Sequence, residues 1–105
     1  MIIKIQSDFR ASLEEPHVFS DFKVVLVGND IGSLRTAGPF VFGRLDDGSN
    51  HIWVDQGWLR SAGPQDPQWQ AGLDAMIAFA GKKGWLDETG SIRAHVELNP
   101  RAIVT

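Results

Sequence analysis

The segment from Pro67 to Lys83 constrains the fold more than any other part of the chain. Asp66 is a natural N-cap, and Pro67 suits the first helical position, where its missing N–H costs nothing. Trp69, Leu73, Met76, Ile77 and Ala80 follow at i, i+4, i+7, i+8 and i+11, one apolar stripe with the period of an α-helix. Gln70, Asp74 and Lys82 lie off that stripe. Lys82 and Lys83 complement the negative end of the helix dipole. Gly84 suits the left-handed residue that closes a helix, and Trp85 is placed to fold back on Phe79 or Ala80. Gly72 sits beside the stripe, where a missing side chain would let a sheet approach closely.

A helix with one apolar stripe must bury it, and the flanking segments read as a sheet. Met1 to Gln6 reads as a short strand, and Phe22 to Val27, apolar on nearly both faces, as a central one. Phe40 to Leu45 and His51 to Asp55 read as hairpin arms around Asp46-Asp47-Gly48-Ser49-Asn50, because Asp-Gly tolerates the positive φ of a tight turn. Ser91 to Leu98 alternates strictly: Ile92, Ala94, Val96 and Leu98 point one way, and Ser91, Arg93, His95 and Glu97 the other. Elsewhere the spacing of Phe9 and Leu13 predicts a short helix over Ser7 to Glu15, stopped by Pro16. Asp55 reads as the cap of a helical turn over Gln56 to Ala62. Gly28 to Pro39 reads as a long polar loop. The expected fold is α+β: a mostly antiparallel sheet of four to five strands with one main amphipathic helix, about 67–83, packed on one face. At 105 residues the chain suits one domain, residues 1–105.

Composition narrows the function classes. There is no cysteine, so disulfides, thiolate metal sites and cysteine nucleophiles are excluded, and a reducing compartment fits. The N-terminus turns polar too early for a signal peptide, and no apolar run has membrane-spanning length, so a soluble cytoplasmic protein is expected. Net charge is −3 and the ten Lys and Arg are dispersed, which disfavours a nucleic-acid partner. The loop after Val27 carries Asn29 and Asp30 as candidate binding residues, because glycine-containing loops let backbone amides approach ligands. It has neither a Gly-Lys-Ser/Thr ending nor a Gly-x-Gly-x-x-Gly run, and no cofactor is expected.

The residues that could carry chemistry lie on two strands. His51, Trp53 and Asp55 share one face of the first, and Arg93, His95 and Glu97 one face of the second. Were the strands neighbours, His51, Asp55, His95 and Glu97 would form a candidate catalytic cluster able to transfer protons near neutral pH, or to hold a metal weakly. A solvated, mixed-charge face is the ordinary outcome of the same pattern. Trp53, on the wetter face, needs a cover: the chain itself, a second subunit or a ligand. Arg93 joins it as a candidate binding residue.

Two functional expectations follow. The first is a small binding or interaction protein without chemistry. It would self-associate as a homodimer, since the strand at 22–27 has two apolar faces to bury, or take another protein or a small ligand. The second is a small cofactor-free enzyme on a compact organic substrate, with His51 and His95 as acid–base groups oriented by Asp55 and Glu97. Whether the chain is an enzyme is left open by its sequence.

Overall fold

A computed structural model describes residues 1–28, 30–38, 40–46 and 50–99. In chain order the elements are β1 (Ile2–Ile5), β2 (Ala11–Glu14), β3 (Lys23–Val27), α1 (Ile31–Ala37), β4 (Gly43–Leu45), β5 (His51–Val54), α2 (Gln56–Ala62), α3 (Pro67–Lys82) and β6 (Ile92–Asn99). The strands form one six-stranded sheet in the order β2-β1-β3-β6-β5-β4, curled into a half-barrel.

The expected mostly antiparallel sheet of four to five strands is therefore corrected. The fold is α+β, but the sheet is mixed and has six strands, and among the described residues three helices accompany it, α3 being the main one. β1 pairs in parallel with β3, and β3 in parallel with β6, while β2, β5 and β4 pair antiparallel. The parallel centre arises because β2 turns back on β1, so that β3 re-enters on the other side of β1 in the same direction.

Two local expectations also fail. Ser7 to Glu15 is not helical: Ala11–Glu14 is a strand whose Leu13 pairs with Ile3 and Ala11 with Ile5. The alternation Ala11-Ser12-Leu13-Glu14 competes with the helical spacing of Phe9 and Leu13, and the neighbouring strand decides between them. Gly28 to Pro39 is not all loop. Asp30 accepts a hydrogen bond from Ser33 N at 2.7 Å and so caps α1, and Leu34 anchors that helix in the core. The cap and one buried leucine outweigh the weak propensities of Gly32, Ser33 and Thr36. Within the hairpin turn, Asp47 to Ser49 lie outside the described residues.

The helix α3 follows its sequence closely. Asp66 accepts from Trp69 N at 2.8 Å, Pro67 opens the helix, and Gly84 adopts φ 76 beyond its end. Trp69, Leu73 and Ala80 are buried, and Met76 and Ile77 pack partly against the same core. Gly72 makes a close approach, though not to the sheet. A Cβ there would lie 2.8 Å from the ring of Phe19, in the segment leading into β3.

The inner face of the sheet joins Ile3, Ile5, Val24, Leu26, Ile52, Val54, Ile92 and Ala94 to Leu34, Leu59, Trp69 and Leu73 in one buried cluster. The outer face carries Lys4, Lys23, Val25, Arg44, Trp53, Arg93, His95 and Glu97. β3 carries Lys23, Val25 and Val27 on that outer face, so it is apolar on nearly both sides, with Lys23 the polar exception.

One carboxylate shapes the connection from α3 to β6. The side chain of Asp87, 9% exposed, accepts from Thr89 N at 2.9 Å, Thr89 Oγ1 at 2.8 Å and Ser91 N at 2.8 Å, and pairs with Arg44 Nη2 at 2.8 Å. Burial opposes its charge, but these donors outweigh burial and hold its pKa at about 2. A depressed carboxylate stabilises the fold above its unfolded value of 3.8 and loses that contribution as pH falls towards 2. Asp87→Asn is expected to cost about 2 kcal/mol at neutral pH. In urea unfolding across a pH series, wild type and variant should converge as the pH nears 2.

Candidate functional site

The offset pairing of β6 builds the site. β6 meets β5 through Ile92 to His95 and meets β3 through His95 to Asn99. His95 is the residue common to both pairings, with Lys23 on one side and His51 on the other. Before His95 the β3 side of β6 has no strand. Arg93 N instead donates to Trp85 O at 2.8 Å, and Leu86 bridges to Ile92. On the far side, Phe19 to Phe22 lead into β3, held by the N-terminal amine of Met1, which donates to Val18 O at 2.6 Å and Asp21 O at 2.7 Å.

Between these two segments and α3 lies a cleft of about 930 Å³. Gly72, Ala75, Met76, Phe79 and Ala80 form its helical wall, at i, i+3, i+4, i+7 and i+8 of one helix. This stripe runs beside the core stripe and shares Met76 and Ala80 with it. Phe19, Phe22 and Trp85 add aromatic walls. Trp85 packs edge-on against Phe79 with centroids 6.0 Å apart, and the bare backbone at Gly72 gives Phe19 its place on the helix. Arg93, His51, His95 and Asp21 supply the polar end.

The electrostatics there are uneven. His95 Nε2 lies 3.0 Å from Glu97 Oε2, and Lys23 Nζ lies 3.4 Å from Glu97 Oε1 and 3.7 Å from Asp21 Oδ2. The bond from His95, with the Lys23 contact, holds the Glu97 carboxyl below the usual carboxylate range. Arg93 has no such carboxylate among the described residues. Its Nη2 lies 3.4 Å from His51 Nδ1, and its buried Nε has no hydrogen-bond partner there. A guanidinium can only donate, so Nδ1 of neutral His51 is the acceptor and the ring proton sits on Nε2. Burial, then the charge of Arg93, lowers the His51 pKa, against a smaller opposing pull from Asp46.

The remaining sequence candidates disperse. Asp55 lies past the end of β5 and caps α2, accepting from Trp58 N at 2.8 Å, so it does not join His51. Trp53 is half-buried and partly covered by its own chain: its indole N–H donates to Asp46 Oδ1 at 3.0 Å, and the Arg44 guanidinium lies 5.7 Å over the ring. Asp30 caps α1, and Asn29 lies outside the described residues. Among the described residues, no group of three or more His, Asp or Glu is placed to hold a metal ion. No helix there is long and apolar enough to cross a membrane.

The cleft itself is what the pattern reading missed. Its signal was the second helical stripe, small at Gly72 and Ala75 and large at Met76 and Phe79, flanked by Phe19, Phe22 and Trp85. No family model, curated protein or solved structure matches the chain.

The paired titratable groups allow a direct check. With its folded pKa depressed, neutral His51 supports the fold above the ordinary imidazole value of 6.5, and that support is lost as pH falls below it. NMR titration of the ring carbons should give a midpoint below 6.5 for His51. Arg93→Gln should move that midpoint upward by removing the adjacent like charge. A midpoint unchanged in the variant would separate the two side chains electrostatically.

Proposed function

We propose that the protein is a cytoplasmic binding module whose working surface is this cleft, and that the cleft takes a compact, mainly apolar small molecule. The observation that carries the reading is the cleft's make-up. Its volume is at the upper end of the range for small-ligand sites, about 300–1,000 Å³. Aromatic walls combined with a few polar groups at one end are the ordinary anatomy of such sites. Apolar side chains left beside water cost free energy that a ligand recovers on binding. The lack of cysteine suits a reducing compartment. Acid–base catalysis by His51 and His95 would have only Glu97 as orienter, since Asp55 caps α2, and binding asks less of the geometry.

The neutral fluorophore N-phenyl-1-naphthylamine tests this reading. It should bind saturably at micromolar concentration with enhanced emission. Ala75 lies exposed on the cleft wall, so Ala75→Trp should fill the cleft and abolish that binding without lowering the melting temperature. Absence of saturable binding, or binding that survives in Ala75→Trp, would overturn the assignment.

Self-association is the second reading, favoured by the exposure of large apolar side chains at the same rim. Phe79 is 53% and Trp85 41% exposed. Two copies meeting there would bury both residues in a twofold homodimer. Light scattering after size exclusion should then give twice the chain mass at high micromolar concentration, and Phe79→Arg should return the monomer. A strict monomer removes the dimer and leaves the cleft reading untouched.

A further inference from the structure

Resting on the cleft reading, we infer that its ligand is an aryl monocarboxylate, with the ring system against Phe79, Trp85 and Phe19 and the carboxylate on the guanidinium of Arg93.

Three observations carry this. First, among the described residues Arg93 is a cation at the cleft without a carboxylate, and its buried Nε has no acceptor. A guanidinium presents a planar fork of donors that fits the two oxygens of a carboxylate. Nε itself is shut off from solvent, so a carboxylate in the cleft would engage the rest of the guanidinium, which has an imidazole nitrogen and no carboxylate as partner. Second, the neighbouring charges are already engaged. Lys23 is shared between Glu97 and Asp21, and Arg44 pairs with Asp87. Lys83 Nζ lies 5.4 Å from the Phe79 ring at the rim, but among the described residues that line the cleft Arg93 is the cation left over, and with Asp21 also lining it a single negative charge is favoured over a phosphate dianion. Third, the walls are aromatic. Phe79 and Trp85 meet edge to face, and Phe19 lies across Gly72, surfaces that match a flat ring system better than a flexible chain. His51, its ring proton on Nε2, stands beside Arg93 at the polar end.

The test is displacement of N-phenyl-1-naphthylamine from the full chain by 2-naphthoate, by neutral 2-naphthalenemethanol and by 2-naphthyl phosphate. In the wild type, naphthoate should compete at least tenfold more strongly than the alcohol and more strongly than the phosphate. Arg93→Gln should bring naphthoate to the level of the alcohol. Saturating naphthoate should also move the His51 ring titration upward, since a nearby anion favours the imidazolium. Equal competition by naphthoate and the alcohol in the wild type would overturn the carboxylate assignment while the cleft stands as an apolar site. Stronger competition by the phosphate would replace the monoanion with a dianion. If neither naphthoate nor the alcohol displaces the fluorophore, the cleft reading fails, and this inference with it. The wild-type ratio decides even if Arg93→Gln does not fold.

Discussion

The structure depends on the staggered pairing of β6. A strand shared over its whole length would have β3 and β5 on both sides throughout. Here β6 meets β5 with its first half and β3 with its second, and His95 is where the two pairings overlap. The stagger joins a parallel set, β1 and β3, to an antiparallel set, β5 and β4. It also leaves the backbone of Ile92 to Ala94 without β3. Backbone donors in a buried setting need acceptors, and Trp85 O takes the amide of Arg93. The tryptophan that forms one wall of the cleft is therefore placed by the same shortfall in pairing that opens the cleft.

Much of the local structure was legible in the residues themselves. α3 has a capping aspartate, a proline at its start, a continuous stripe and a terminal glycine, and these agree with one another. Asp55 as a cap for α2 and the alternation of β6 were legible for the same reason, since each rests on near neighbours in sequence. β2 was not, because four residues with two apolar side chains satisfy either period until Ile3 and Ile5 stand beside them. α1 was not, because its decisive contact is the burial of Leu34, a tertiary fact. The mixed sheet was illegible on the same ground: parallel and antiparallel strands share one alternation, and direction follows from which neighbour each strand meets.

The candidate site shows the same limit more sharply. That His51, His95, Arg93 and Glu97 share a face follows from alternation, and register then places His51 against His95 and Trp53 against Arg93. What each group does there depends on its next neighbour. Glu97 is drawn to His95 and Lys23, Asp55 to the amide of Trp58, and Trp53 to Asp46 and Arg44. These are ordinary satisfactions of charge and hydrogen bonding, and each engages part of what the residue has to offer.

Arg44 and Arg93 show how that sorting leads to a site. Both project from the outer face, and they flank Trp53 on its two sides in register. Arg44 extends over the indole and reaches Asp87, a carboxylate held ionised by three hydrogen bonds to Oδ1 and by this ion pair at Oδ2. Arg93 faces an imidazole, a weaker acceptor, and keeps one buried N–H unmatched. The fold therefore gives one cation a carboxylate and leaves the other without one beside an apolar cleft. Replacing Arg93 with an apolar residue would relieve that shortfall within the free protein. On the proposed reading, what the arginine adds over such a residue is affinity for an anion at the polar end of the cleft.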